Sequence, residues 1–377
     1  MDLALHPARM QPYADLAAAL DARVRSGALV AVDDGPLRLY VYTNRCVYDK
    51  LWDEVTLLAR GLVLDRRACV VRATPFPKFF NYGEFGVALP DAPFEVFDKL
   101  DGSLGIVFHD GARWRVVTKG AFDSAQARWA QAWLAANVAE NALEPGVTYL
   151  FEVVYGLNRI VVRYAFEGLV LLAAYEPDGR ERARPDVAQT AQALGVRLVD
   201  VRSGQTLPAL LAACEGLDRD QEGFVVRFAS GMRLKLKGAA YRRIHAVLTG
   251  TTPLGLWRAL DAGEDLDALR REVPEEFWKD FDAIRQRLDA RLDTLTGKVE
   301  GVHAAWADRD DKTVGLALAS LDGDVRPFLF ARRKHGAAWI ADAKVRRVLL
   351  RAIRPDGNVL VGYRPSTHLL GALADDG

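Results

Sequence analysis

The sequence predicts an α+β protein: a domain of antiparallel strands followed by a mostly helical one. Three observations predict it. Short alternating segments fill residues 37–236, helical spacing takes over after about residue 241, and a turn-forming stretch lies between the two patterns. At about 150 residues per domain, 377 residues leave room for two domains.

Leu16–Ser26 reads as a first helix. Strands are expected at Arg38–Tyr42, Gly61–Asp65, Phe94–Asp98, Leu104–Phe108 and Arg113–Thr118. Further strands are expected at Tyr149–Tyr155, Arg159–Tyr164, Val170–Tyr175, Gly223–Phe228 and Arg233–Leu236. Apolar and polar residues alternate along them, and Gly, Asp and Asn bound them, which favours antiparallel strands joined by hairpins. Ala121–Ala139, Asp186–Leu194 and Leu207–Cys214 read as helices. Farther on, Phe277, Phe281, Ile284, Leu288, Leu292 and Leu295 recur at helical spacing, and Ala337–Ile353 repeats the style. The turn Thr249-Gly250-Thr251-Thr252-Pro253 sets the boundary near 245–255, so the expected domains are residues 1–245 and 246–377.

Composition narrows the function. Fifty basic residues balance fifty acidic ones, half of the chain is hydrophobic, and 27% is charged. That excludes a disordered tail or a fibrous repeat, and it excludes nucleic-acid binding by global charge while leaving a local basic patch open. Cys46, Cys69 and Cys214 are odd in number and widely spaced, which argues against a disulfide framework or a zinc site and suits a reducing compartment. Met1 to Met10 holds no apolar leader, and no apolar run approaches the ~20 residues that cross a bilayer. A cytoplasmic enzyme without a membrane partner is expected.

Only 11 of the 50 basic residues are lysine. Arginine is permanently charged, whereas a primary amine can lose its proton and attack, so the retained lysines are informative. Five of them, Lys78, Lys99, Lys119, Lys235 and Lys237, sit in the strand-rich region beside turn or strand signals. Lys99-Leu100-Asp101-Gly102 by itself reads equally well as a hairpin turn with a solvent-facing lysine. It gains meaning in company. Glu152 lies on one strand, Glu222-Gly223 opens another, and Lys235-Leu236-Lys237 closes a third with both ammonium groups on one face. In order, these are an amine, two carboxylates and a pair of amines.

With these motifs in place the sequence resembles the covalent nucleotidyltransferases, which include ATP-dependent ligases and mRNA capping enzymes. Within them it is similar to the T-even bacteriophage RNA ligase 1 family over about residues 38–245. The segments that carry this are Arg60-Gly61-Leu62-Val63-Leu64-Asp65, Phe76-Pro77-Lys78-Phe79-Phe80-Asn81-Tyr82-Gly83-Glu84, Thr118-Lys119-Gly120 and Asn158-Arg159-Ile160-Val161.

The resemblance implies an antiparallel-sheet nucleotidyltransferase (adenylation) domain with an ATP site, then a helical C-terminal domain. It implies an ATP-dependent RNA ligase that joins 5′-phosphate and 3′-hydroxyl RNA ends through a lysine–AMP adduct and an RNA-adenylate. By motif position Lys99 is the nucleophile. Lys235 and Lys237 match the pair that contacts the α-phosphate, and Arg60, Lys78 and Lys119 match contacts to the triphosphate tail. Glu152 matches the ribose-binding carboxylate and Glu222 a second carboxylate near the nucleotide. Both are the implied ligands of Mg2+ or Mn2+, in part through water. Phe80 stands at the aromatic position near the nucleotide, with core packing an equal account of it. Tyr241, four residues after Lys237, is open in the same way.

From Arg326 to Arg364 ten basic residues face only Asp342 and Asp356, a local net charge of +8. That tract is a candidate contact for RNA phosphates, tRNA included; a solvated arginine-rich helix face is the plain alternative. RNA ends are the expected partners, together with a separate kinase-phosphatase that heals them. A DNA ligase or capping-type transferase shares the core motifs but generally continues into a small β-barrel, and a non-catalytic RNA-binding protein on the same fold would be expected to have lost lysines that are all present here.

Overall fold

The computed structural model describes residues 5–84, 89–158, 161–218, 220–242, 250–273 and 277–365. The chain divides into two compact units, Met1–Arg243 and Ile244–Gly377. It is α+β, with largely antiparallel sheets in the first unit and helices in the second.

The first unit opens with helix α1 (Tyr13–Arg25) and strands β1 (Leu29–Asp34) and β2 (Leu37–Tyr42). After the short helix α2 (Asn44–Tyr48) come β3 (Arg60–Asp65) and β4 (Val70–Ala73). These four strands form a meander, β1-β2-β3-β4. Next are β5 (Phe94–Lys99), β6 (Ser103–His109), β7 (Trp114–Thr118), helix α3 (Ala125–Asn137), β8 (Thr148–Val154) and β9 (Gly168–Tyr175). Helix α4 (Arg184–Leu194), β10 (Arg197–Leu198), β11 (Val201–Arg202), helix α5 (Leu207–Glu215), β12 (Gly223–Phe228) and β13 (Arg233–Lys237) complete it. A second sheet runs β10-β9-β8-β6-β7 and a third β11-β5-β12-β13.

Alternation sorts each strand between layers. Leu62 and Leu64 of β3 pack with Leu16 and Leu20 of α1, while Val63 faces Ile106, Phe108 and Leu150 of the second sheet. On that sheet's far side Tyr149, Phe151 and Val153 meet Leu134 of α3 and Leu194 of α4. Val96, Phe224, Val226, Leu234 and Leu236 of the third sheet are covered by Leu210 and Cys214 of α5. The opposite face of the third sheet, which carries Phe97, Lys99, Val225 and Lys235, lines a cleft with Leu104, Glu152 and Leu172 of the second.

The second unit contains α6 (Pro253–Ala262), α7 (Leu266–Glu272), α8 (Trp278–Ala305), α9 (Asp311–Ala317), α10 (Arg326–His335) and α11 (Ala343–Ala352). The long helix α8 buries Phe281, Ile284, Leu288, Leu295 and Val299, the stripe that its spacing predicts.

Three expectations are corrected. Ala337–Ile353 is not one helix: Gly336–Ala341 forms 3-10 turns, and Asp342 starts α11 by accepting from the N–H groups of Lys344 and Val345 at 2.9 and 3.1 Å. Val161 to Tyr164 form no strand, because the N–H groups of Val161 and Val162 turn to Asp101; Arg159 and Ile160 of that expected strand lie outside the described residues. The edge strands β1 and β4 went unread: each buries a single residue, so neither Leu29–Asp34 nor Val70–Ala73 carries a clear apolar face. Thr249 of the expected boundary turn also lies outside the described residues.

Candidate active site

Lys99 ends β5, and Gly223 pairs with it across the sheet at the start of β12. Its Nζ lies 2.5 Å from Glu222 Oε2, and Lys237 Nζ lies 3.1 Å from Glu222 Oε1. Glu222 is buried, with 2% of its side chain exposed, so one carboxylate binds two ammonium groups out of water. The glycine after it is a necessity. At Gly223 φ is +141°, and a Cβ would come within 1.9 Å of the Leu236 carbonyl oxygen. Glu222 is delivered by this close approach of the start of β12 to its antiparallel neighbour β13.

Arg233, Lys235 and Lys237 share one face of β13, opposite the buried Leu234 and Leu236. Lys235 lies 4.8 Å from the Phe79 ring centroid. Burial pushes its ammonium well below the ordinary lysine range, and the neighbouring Arg60, Lys78, Lys99 and Lys237 push it further. Glu152, on β8, lines the same cleft as Lys99, Arg60 and Lys235. Burial raises its carboxyl to about 7, with Glu222 and Asp101 adding to the shift against Lys99 and Arg60.

The segment after β4 docks onto β13. Lys235 N–H donates to the Phe80 carbonyl and Tyr82 N–H to the Lys235 carbonyl, both at 2.9 Å. Glu84 closes the following turn by accepting from Asn81 N–H and Nδ2, again at 2.9 Å, and Gly83 takes φ +78° within it. The Lys-Phe-Phe-Asn-x-Gly-Glu string is thus a docking strand and its turn. Side chains alternate along it. Phe79 lines the cleft and lies 5.4 Å from the Arg60 guanidinium, whereas Phe80 packs against Trp52 at 5.5 Å beneath Lys78.

Lys78 Nζ sits 5.1–5.7 Å from the rings of Phe80, Trp52 and Tyr42, and burial lowers its affinity for a proton. The exposed Lys119 also lies over the Tyr42 ring, 5.3 Å from its centroid. Gly61, at φ +94°, allows the approach of the Lys119 loop, since a Cβ there would come within 3.3 Å of the Lys119 Cα. Lys99, Arg60, Glu152 and Lys235 therefore share one cleft, to which Glu222 and Lys237 are joined through Lys99. Lys78, Lys119 and Phe80 gather around Tyr42 and Trp52.

Asp101, three residues into the Lys-x-Asp-Gly turn, has a role that the motif alone did not reveal. It is buried; Oδ2 accepts from Val161 and Val162 N–H at 2.7 and 2.8 Å, and Oδ1 accepts from the Tyr241 hydroxyl at 2.8 Å. Its own N–H donates to Tyr164 Oη at 2.7 Å. Asp101 therefore anchors the Lys99 turn, and Tyr241 supports it from the core. Gly102 lets that turn lie on β8: a Cβ there would meet the Val153 carbonyl at 2.5 Å.

The Glu152 shift carries a sign. The folded protein binds this proton more tightly than the unfolded chain, whose value is near 4.5. The resulting stabilisation is complete below about 4.5 and is lost as pH rises through about 7. Glu152→Gln, which does not titrate, is expected to remove that slope from the melting temperature measured against pH. An unchanged slope would assign the titration to other groups.

Residues 58–241 match the family model described as RNA ligase. No curated protein sequence matches the chain. Among solved structures, an archaeal ATP-dependent RNA ligase (form 2) is 14% identical, with a TM-score of 0.47 over 94% of this chain and 93% of its own. A Naegleria gruberi RNA ligase mutant with ATP and Mn is 17% identical, with a TM-score of 0.34 over 41% of this chain and 51% of its own. The chain thus matches about half the length of that Naegleria protein. That match spans Arg60, Lys78, Lys99, Lys119, Glu152, Glu222, Lys235 and Lys237, so the residues gathered around the cleft all lie in the stretch that is similar to the RNA ligase family.

Proposed function

We propose that the protein is an ATP-dependent RNA ligase that joins a 5′-phosphate to a 3′-hydroxyl. The observation that carries this is the buried Glu222 carboxylate held between Lys99 and Lys237, in a cleft that also presents Lys235, Arg60 and Glu152. A phosphoryl group in transfer needs positioning and charge neutralisation above all, and these cations supply both.

In the first step Lys99 Nζ attacks the α-phosphorus of ATP. A nitrogen–phosphorus bond forms, the bond to the bridging oxygen breaks, and pyrophosphate leaves. Attack requires a free amine, so the ion pair with Glu222 must open first. Lys235 and Lys237 are the proposed contacts to the α-phosphate, and Arg60, Lys78 and Lys119 those to the leaving pyrophosphate. Glu152 is the acceptor for a ribose hydroxyl. AMP then passes to the RNA 5′-phosphate, and the 3′-hydroxyl displaces it.

Among the described residues no three His, Cys, Asp or Glu side chains cluster as a metal site. Glu152 and Glu222 nonetheless fit a magnesium ion, since that ion takes oxygen ligands and completes its shell with water and phosphate. Bound there, it would neutralise phosphate charge.

RNA repair, with tRNA as substrate, is the setting proposed for this activity, in the cytoplasm and after a separate kinase-phosphatase has prepared the ends. No described helix is long and apolar enough to cross a membrane. Part of the C-terminal basic tract is used internally: Arg332 pairs with Glu300 and Arg333 with Asp311, each at 2.6 Å. On α11, by contrast, Lys344, Arg346, Arg347 and Arg351 are exposed and have no ion-pair partner among the described residues. They form the proposed contact to RNA phosphates. Replacing all four by Gln is expected to weaken RNA binding and to flatten its logarithmic salt dependence by roughly 0.7 for each phosphate left without its cation. An unchanged slope would remove α11 from the RNA path.

The decisive experiment is sealing of a nicked or broken RNA carrying a 5′-phosphate and a 3′-hydroxyl, with ATP and magnesium. A sealed product supports the reading. Sealing of DNA alone, or capture of GTP alone, would replace it with the DNA ligase or capping reading.

A further inference from the structure

The cleft that holds Lys99 at one end carries an unused polar group as well. Glu181 lies just beyond β9, where it bridges to Tyr175, and its side chain is 6% exposed. Its Oε1 accepts from Arg227 Nε at 3.1 Å and from Arg233 Nη2. Its Oε2 is buried and has no hydrogen-bond partner among the described residues. Glu181 is nonetheless one of the residues that line the cleft.

A buried acceptor without a donor is costly, and folded proteins keep few of them. Neutralising Glu181 by protonation is not the escape, because Arg233 and Arg227 outweigh its burial and hold it below the ordinary range. The oxygen therefore stays an acceptor that waits for a donor from outside. The walls around it tell which kind. Phe97 and Val225 come from the third sheet, Leu172 from the second, and Phe76 and Phe79 from the docking segment. Arg233 lines the cleft as well, but its Nη2 is engaged by Glu181 Oε1, which leaves Oε2 as the acceptor beside these apolar walls. Such a setting suits a flat heterocycle that presents an N–H.

We infer that Glu181 reads the nucleotide base: Oε2 accepts a hydrogen bond from the amino group at position 6 of a purine. This rests on the nucleotide-binding reading above, which places the phosphates at Lys99 and the ribose at Glu152 and so leaves the remaining cleft for the base. A 6-oxo purine would set its carbonyl oxygen against a carboxylate and is rejected. Specificity of this kind arises because the buried group is left unpaired by the wrong base.

Glu181→Gln tests the assignment sharply. Arg227 and Arg233 only donate, so the new amide must turn its oxygen to them and its NH2 toward the cleft. An acceptor for the base becomes a donor. The measurement is the rate of protein labelling by the full chain with magnesium and α-labelled ATP, inosine triphosphate or purine riboside triphosphate, which lacks any 6-substituent. Wild type should label at least about tenfold faster with ATP than with either analogue at limiting nucleotide. In Glu181→Gln the ATP-to-inosine-triphosphate ratio should fall by about tenfold or more. Each ratio is taken within one preparation, so partial misfolding cancels.

A wild type that takes purine riboside triphosphate as readily as ATP overturns the inference whatever the variant does. A variant that keeps the wild-type ratio also overturns it. If the variant labels with nothing, the wild-type comparison decides. Wild type labelled by none of the three defeats the ligase reading itself, a result distinct from loss of base selectivity.

Discussion

Lys99→Ala is expected to reduce covalent capture of AMP to background, the largest effect that any single substitution should have. Wild type incubated with α-labelled ATP and magnesium should carry label through denaturing electrophoresis, and the label should survive base but not acid, as a phosphoramidate does. The alanine variant should carry none. It also breaks the ion pair to the buried Glu222, so some loss of stability accompanies it; with Lys99 20% exposed, about 1–2 kcal/mol is reasonable. Lys99→Arg separates the two effects. It keeps a cation against Glu222 but cannot lose a proton to attack, so it should fold like wild type and still take no label. Labelling of either variant would place the nucleophile elsewhere.

Glu222→Leu is expected to fail in both respects at once. The carboxylate is the shared anion of Lys99 and Lys237, and removing it leaves two ammonium groups, with Lys235 nearby, in a corner mostly shut from water. Breaking a buried pair in this way costs about 3 kcal/mol, which denaturant unfolding would register directly. Labelling should vanish, because Lys99 loses the group that fixes its position. Full labelling with a normal unfolding midpoint would mean that Glu222 neither supports the fold nor places the nucleophile.

Much of this site could be read from the residues alone, and the part that could not follows from register and distance. Period-two alternation put Lys235 and Lys237 on one face, and they share it. The same alternation separates Phe79 from Phe80. A string of two phenylalanines does not say which faces inward until its pairing with β13 is known, so Phe80 stood for an aromatic place in the cleft that Phe79 occupies. Glu181 belongs to no motif. Its partner Arg233 lies 52 residues away, a pairing that no local pattern encodes. The basic tract misled in the same way: counted along the chain it was opposed by two aspartates, yet Glu300 and Asp311 reach it from 32 and 22 residues upstream. The strand expected at Arg159–Tyr164 gave way over its described part because Asp101, 60 residues before Val161, takes the amides of Val161 and Val162.

That anchoring of Asp101 bears on how the protein comes to be active during synthesis. The three groups that fix its carboxylate lie 60, 61 and 140 residues downstream, the last of them Tyr241. Contacts of such separation close late in folding, because a long loop must be ordered before they form. A nascent chain that has emerged only as far as β9 already contains Lys99 and can pair β7, β6, β8 and β9 of the second sheet, yet its turn is without the Tyr241 contact. It also lacks Glu222. Lys99 therefore gains both its Glu222 partner and a turn anchored by Tyr241 only after the last strand of the first unit has been made.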